Sequence, residues 1–403
     1  MIITIINQHT LNHGDEAAAK ALYKALHHDK IEKLNILHTI TEADLFQVKK
    51  LVCNDKNQNH YAILQLRLFE KVILIASLFF PYFLSQKLIR LSKALSKELD
   101  IIKFSKKIIS APGGVNLGPY KDWRYLWRLY VAIKERKEIA VYSISYGPLP
   151  DIPFFRKKSQ YVLNGVKFLS LRDKKSQEFA KQANIDFIPA IDTAFLYNDY
   201  DSVDIPSKYH SLIKKNFIVI VPNELYIWHP NFKNIKPEIL DDKYIKIFNY
   251  FLDRGFDIVC LPQLFGRQND KDYMARIKKQ LGSENIHIFN EQDSSDIQQA
   301  IIAKSQFVIG ARYHSIIFAI NNNIPFVSLA YEHKMTNTLE LLGLQENNIM
   351  IEDMLDNDDY IEKIDNLFSR RDEIARKVCM ASEKAHKIAT TTYDMFKKNF
   401  LMS

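Results

Sequence analysis

Short β-branched and aromatic runs, each closed by a polar turn and followed by a stretch of helical spacing, recur along this chain from residue 2 to about residue 330. Residues 2–6 form the first run. A polar loop follows at 7–14, and Asp15 and Glu16 open an alanine-rich stretch reaching Leu26, with acidic residues where the amino end of a helix favours them. Residues 106–111 form a second run, followed by the Pro112-Gly113-Gly114 turn and a helix over 123–137; residues 138–145 and 168–171 are further strands. After a polar stretch at 197–208 the pattern restarts, with strands at 217–221, 257–261, 286–289, 307–309 and 325–330 and helices at 241–254, 273–281, 294–304 and 315–321. Strands separated by helices cannot pair as hairpins, so the alternation demands mostly parallel sheets covered on both faces: an α/β fold of two doubly wound, Rossmann-like domains. Such sheets bind ligands at the carboxyl ends of their strands.

A chain of 403 residues with 47% hydrophobic content can bury two cores. The pattern divides it into an amino-terminal domain over 1–205, with a hydrophobic helical insert near 61–104, and a carboxyl-terminal domain over 206–360. Helices over 361–403 follow, of a kind that often packs back on the first domain. The balance of Lys+Arg 55 against Asp+Glu 47 gives a net charge of +8. That suits acidic sugars, phosphates or an anionic membrane face, and no helix-turn-helix or RNA-binding signature accompanies it, so nucleic acid is not expected as a partner. Cys53, Cys260 and Cys379 lie far apart with no CxxC or Cys/His spacing, which speaks against disulfides and structural zinc and fits a reducing cytoplasm. The amino terminus lacks a basic segment followed by a long apolar one and reads as a strand, not as an export signal.

One run breaks the alternation. VILIASLFFPYFL, from Val72 to Leu84, contains Ser77 as its only polar residue and is flanked by Arg67, Lys71, Lys87, Arg90 and Lys93. It is shorter than the roughly twenty residues a membrane span needs, and Pro81 interrupts it. Two readings stand: a buried or subunit-interface helix pair, and a peripheral contact with the inner face of the cell membrane, anchored by the basic flanks.

Residues 310–318 read GARYHSIIF and place Arg312 and His314 between an apolar run and a helix, where backbone N–H groups and the helix dipole favour anions. Arginine supplies a planar fork for carboxylate or phosphate, and histidine moves protons near neutral pH. Lys334 follows the next strand in a loop, either opening on the same edge or simply solvated. Arg172, in SLRDKKS, ends a strand, though a pairing with an acidic neighbour is the usual fate of such a residue. Asp15 is the best-placed carboxylate for a base and equally suits helix stabilisation. Asn116 and Asp122, after Gly113 and Gly114, could line a sugar site, whereas Trp123 and Trp127 fit a core helix face.

Taken in order, Asn12-His13-Gly14-Asp15-Glu16, the Gly113-Gly114 turn, SISYGPL at 143–149, SLRDKKS at 170–176, Asp192-Thr193-Ala194-Phe195, Leu261-Pro262-Gln263 and GARYHSIIFAINNNIPFVSLAYEHK resemble the polysaccharide pyruvyltransferase family. The resemblance implies a glycosyltransferase-B-like arrangement of two doubly wound domains facing a cleft. It implies transfer of a pyruvyl group from phosphoenolpyruvate to a sugar of a cell-surface polysaccharide or its lipid-linked precursor, forming a ketal and releasing phosphate, with neither metal nor cofactor. By motif match, Arg312, Tyr313, Lys334 and Arg172 are expected at the donor, and His314 is expected to protonate the methylene carbon as imidazolium. Asp15 is the candidate base, and Gly14, Gly113, Gly114, Asn116 and Asp122 are expected at the acceptor. The insert is not part of the family pattern. Two other classes remain open from the residues: a nucleotide-sugar glycosyltransferase of the same fold, which should carry a diphosphate-binding glycine-rich loop in the second domain, and a non-catalytic subunit of a glycan-assembly complex, which should carry a degraded site.

Overall fold

The computed structural model describes all residues except 1, 10, 30, 32, 47–56, 115, 201 and 266–268; Cys53 is therefore outside the described residues. The chain forms two compact units. The first comprises residues 1–10, 18–196 and 387–403. The second comprises residues 11–17 and 197–386.

The first unit holds β1 (Ile2–Gln8), β2 (Lys33–His38), β3 (Gln58–Tyr61), β4 (Lys107–Ser110), β5 (Glu138–Ile144), β6 (Phe168–Leu171) and β7 (Ile188–Pro189). They form one seven-stranded sheet in the order β3-β2-β1-β4-β5-β6-β7, with every pairing parallel. The second holds β8 (Phe217–Val221), β9 (Asp257–Cys260), β10 (Ile286–Ile288), β11 (Val308–Gly310), β12 (Phe326–Ala330) and β13 (Asn348–Met350) in the order β10-β9-β8-β11-β12-β13, again all parallel. In both sheets the direction of winding reverses once, between β1 and β4 and between β8 and β11. Loops leaving the carboxyl ends of adjacent strands diverge there and open a crevice. Both sheets are of the doubly wound type the alternation demands. The apolar runs of β8, β11 and β12 are buried throughout, as strands covered on both faces must be.

Four strands have no counterpart in the sequence reading. β3 is polar (QNHY), β7 has two residues and β13 three, so none offers a periodicity to recognise. β2 (KLNILH) has Asn35 between Leu34 and the Ile36-Leu37 pair, so it shows neither a continuous apolar run nor a sustained alternation. The long helix Arg371–Phe396 ends in the first unit, where Tyr393 donates to Asp29 Oδ2 (2.7 Å) and Lys107 donates to the Leu401 carbonyl (3.1 Å).

The hydrophobic run resolves into two helices, Leu68–Ser77 and Tyr82–Ile89, with Pro81 capping the second, followed by Lys93–Phe104. Leu74, Leu78 and Ile89 join the core of the first unit. Trp127 is core as well and donates from Nε1 to Ser77 Oγ (3.0 Å). Beneath the insert, buried Glu98 accepts from Arg128 Nε (2.7 Å) and from Arg124. Burial alone would raise its carboxyl, but the two guanidinium groups hold it below the usual range. Cys260 is buried in β9 and Cys379 is half-buried in the long helix.

Candidate active site

GARYH begins where β11 ends. Gly310 is the last residue of β11, and a Cβ there would stand 2.3 Å from Ser315 Oγ; only glycine lets the next helix fold back so tightly over the strand end. Arg312 is the amino-terminal cap residue of the helix Tyr313–Asn321, and His314 is its second residue. Both side chains are buried, in the β8/β11 crevice position of the second sheet.

Arg312 is held on two sides. Its Nη2 pairs with Asp270 Oδ1, while Asp270 Oδ2 accepts from the backbone N–H groups of Gln263 (3.0 Å) and Leu264 (2.9 Å). Its guanidinium carbon lies 5.5 Å from the Trp228 ring centroid, within cation–π range. Trp228 Nε1 donates to Asn223 Oδ1 (3.1 Å), and Asn223 Nδ2 donates to the Ala311 carbonyl (3.1 Å), so the loop after β8 fixes the turn after β11. Burial opposes the charge on Arg312, but the Asp270 carboxylate, with Tyr331 and Tyr244, more than offsets it and keeps the group above its usual range. Arg312 Nε is buried with no hydrogen-bond partner among the described residues. A buried guanidinium donor of this kind is suited to an oxygen of an anionic ligand.

His314 is brought to a residue expected elsewhere. Gly14 packs so closely on its imidazole that a Cβ would stand 1.8 Å from Nδ1. The segment carrying Gly14 is seated on the second unit by a buried web. Asn12 pairs as an isolated bridge with Leu264, and the His13 backbone N–H donates to the Gln263 carbonyl (2.9 Å). His13 Nδ1 meets Glu16 Oε2 (2.7 Å), and His13 Nε2 meets the Glu291 carbonyl (2.8 Å). Glu16 also accepts from the Ser295 N–H (3.2 Å), at the start of the helix Ser295–Ile302. Both His13 nitrogens thus face oxygens, one of a side chain and one of the backbone. Asn12 caps the first helix, its Oδ1 accepting from Gly14 N (2.7 Å). Asp15, half-buried in the first turn, is therefore not needed as the cap.

Lys334 corrects the sequence reading in one respect. It is not a loop residue but the second residue of the helix His333–Leu342, paired with Glu332 Oε2 (2.7 Å) and 5.7 Å from the Tyr313 ring centroid. Tyr313 meets Thr338 Oγ1 (3.1 Å) in that same helix, which gives its ring a packing role between the two helices. His229, 3.8 Å from Glu332, has its basicity lowered by burial against the opposing pull of that carboxylate.

The remaining candidates lie in the first unit. Arg172 follows β6 directly and is buried, donating from Nη1 to Asp192 Oδ2 (2.6 Å) and from Nε to Ser145 Oγ (3.0 Å). Asp192 Oδ1 accepts from the Ala194 N–H (2.9 Å), so the sequence block DTAF serves to position the arginine's partner. Gly113 and Gly114 take φ of 92° and 69° after β4, at the reversal point of the first sheet, and Asn116 Nδ2 stands 2.7 Å from the place a Gly114 Cβ would take. Asp122 has a different employment from the one expected: its Oδ1 caps the helix Trp123–Lys134, accepting from Arg124 N (3.0 Å) and Tyr125 N (2.9 Å).

Asn223, Trp228 and Asp270 are missing from the sequence reading. The first two follow β8, the strand beside the reversal point, and that position is the signal that could have singled them out. Asp270 had none, because it meets Arg312 only through tertiary folding.

Two doubly wound units, one carrying a buried arginine and histidine at its crevice, define an enzyme of the glycosyltransferase-B-like fold. The fold recurs in the UDP-GlcNAc 2-epimerase of Methanocaldococcus jannaschii (14% identity, 98% of this chain and 100% of that one, TM-score 0.58). It recurs also in a glycosyltransferase from Rickettsia africae (14% identity, 100% and 99%, TM-score 0.59). The chain belongs to the polysaccharide pyruvyl transferase family, whose pattern matches residues 12–333. It is 23% identical over 408 residues to the amylovoran biosynthesis protein AmsJ of Erwinia amylovora, covering 95% of this chain and 96% of that protein.

Proposed function

We propose that this enzyme transfers the pyruvyl group of phosphoenolpyruvate to a sugar of a cell-surface polysaccharide or its lipid-linked precursor, forming a cyclic ketal and releasing phosphate. The observation that carries this reading is Arg312: a buried guanidinium whose Nε has no hydrogen-bond partner among the described residues, held by Asp270 and Trp228 at the cap of the helix that carries His314. Phosphoenolpyruvate offers a carboxylate and a phosphate, and Arg312 and Lys334 are suited to such oxygens. Arg172 is assigned to the donor on the family pattern, and Gly113, Gly114 and Asn116 to the sugar.

In this reading His314 gives a proton to the methylene carbon, which makes C2 electrophilic. A sugar hydroxyl forms a bond to C2, with Asp15 taking its proton, and the C2–O bond to phosphate breaks. A second hydroxyl then closes the ring. Of the two hydroxyl protons, one ends in the new methyl group and the other on phosphate, so no water is consumed. Gly14 serves here by giving His314 its place rather than by touching sugar.

Phosphate release from phosphoenolpyruvate, measured with candidate glycan acceptors, tests the proposal. Turnover is expected in the wild type and abolished in His314→Ala, with donor binding kept within about tenfold, because a proton donor matters more to the transition state than to the ground state. No turnover, together with calorimetric binding of a nucleotide sugar, would overturn it in favour of glycosyl transfer.

A further inference from the structure

The helical insert turns a set of large apolar side chains outward. Leu68 (80% exposed), Phe69, Val72 (62%), Phe79, Phe80, Phe83 (62%), Leu84 and Leu91 form the exposed apolar residues of the segment 68–91. The arrangement is built, not frayed. Leu74, Leu78 and Ile89 anchor the same helices in the core, Ser85 Oγ donates to the Ser77 carbonyl (2.7 Å), and Ser92 Oγ donates to buried Glu70 (2.5 Å). A helix pair with a core on one side normally shows water a polar face. This one shows phenylalanines at its turn and along the first turn of its second helix.

The exposed charges around that face are basic, with one half-buried carboxylate among them. Arg67, Lys71, Lys87, Arg90, Lys93 and Lys97 are exposed, whereas Glu70 and Glu98 are buried and satisfied from within; Asp100, half-buried, pairs with Arg90. No described helix is long and apolar enough to cross a membrane. An apolar tip inside a cationic rim is the arrangement of a surface that dips into the headgroup region of an anionic bilayer. A second copy of this chain fits less well, because a two-fold contact through this face would bring two cationic rims together.

We infer that the insert, through Leu68, Val72, Phe80 and Phe83 within the rim of Lys71, Lys87 and Lys93, seats the enzyme on an anionic lipid surface. The contact has a use in the proposed reaction: an acceptor carried on a lipid is confined to that interface. The inference stands on the insert alone and is read without substrate, so its failure and that of the proposed pyruvyl transfer are distinguishable.

Co-sedimentation of the full chain with phosphatidylcholine vesicles, with and without phosphatidylglycerol, is the test. Binding is expected on the anionic vesicles, weakened by salt as surface electrostatics must be. Leu68→Ser with Phe83→Ser should lower partitioning by about tenfold or more, since each removes a large apolar side chain from the interface. Lys71→Glu with Lys87→Glu should lower it about tenfold at low salt. All four sites are exposed, so thermal melts should match the wild type. No binding to either vesicle, or variants that bind as the wild type does, would overturn the inference. So would a wild-type dimer that ignores vesicles and dissociates when Leu68 and Phe83 are changed, which would assign the face to a second copy.

Discussion

The imidazole of His314 occupies the space a side chain at Gly14 would need, with Nδ1 1.8 Å from the place of its Cβ. A methyl group there must push the ring out of position. Gly14→Ala is therefore expected to reduce kcat by about a hundredfold, the order of loss for a misplacement of about 1 Å at a reacting group. Donor affinity should change little. Steady-state kinetics of phosphate release checks this, and an unimpaired Gly14→Ala enzyme would show that the ring's position is not needed for turnover.

The Arg312–Asp270 pair calls for a fork rather than a charge. In the proposed reaction Arg312 keeps Nη2 on Asp270 while turning Nε to the donor, and lysine, a single point charge, cannot do both. Arg312→Lys should raise KM for phosphoenolpyruvate about ten- to a hundredfold, the loss of one charged hydrogen bond. A KM equal to that of the wild type would remove Arg312 from the donor site.

Arg172 is both a candidate ligand and half of a buried ion pair. Removing it takes the guanidinium from a buried ion pair with fully buried Asp192, and breaking such a pair from one side costs about 3–5 kcal/mol, so Arg172→Ala should destabilise the protein by about that much in urea melts. Arg172→Lys keeps a charge beside Asp192 and is the variant whose KM for phosphoenolpyruvate reports on donor binding. A rise in KM with stability largely kept is expected.

His38 makes stability depend on pH. Burial, reinforced by neighbouring His60 at 2.9 Å, lowers its pKa from 6.5 to about 3. Between those values the unfolded chain takes a proton that the folded chain refuses, so stability is full above pH 6.5 and falls as pH drops through this window. The slope for this one group is up to about 1.4 kcal/mol per pH unit. Urea melts near pH 7 and near pH 5 should show a smaller difference in His38→Gln than in the wild type.

The alternation of apolar runs and helical stretches made two parallel sheets legible, because strands buried on both faces leave continuous runs such as FIVIV and FVSLA. Polar β3 and the very short β7 and β13 left no such trace, since their pairing is decided by the neighbouring strand. Arg312 and His314 were legible because a strand-to-helix turn is a local object. Asp270, Trp228 and Asn223 were not, because each lies tens of residues away in the chain and meets Arg312 or its turn only through folding.

The sequence by itself determined the doubly wound architecture, the family and the arginine and histidine at the strand end, because these rest on short-range periodicity and on one contiguous block. Only the tertiary structure decided that Gly14 makes room for His314, that Asp122 is a helix cap, and that the insert's phenylalanines face outward. Hydrophobic pattern specifies how much apolar surface a segment carries. Which part of that surface finds a partner depends on packing between residues far apart in the chain.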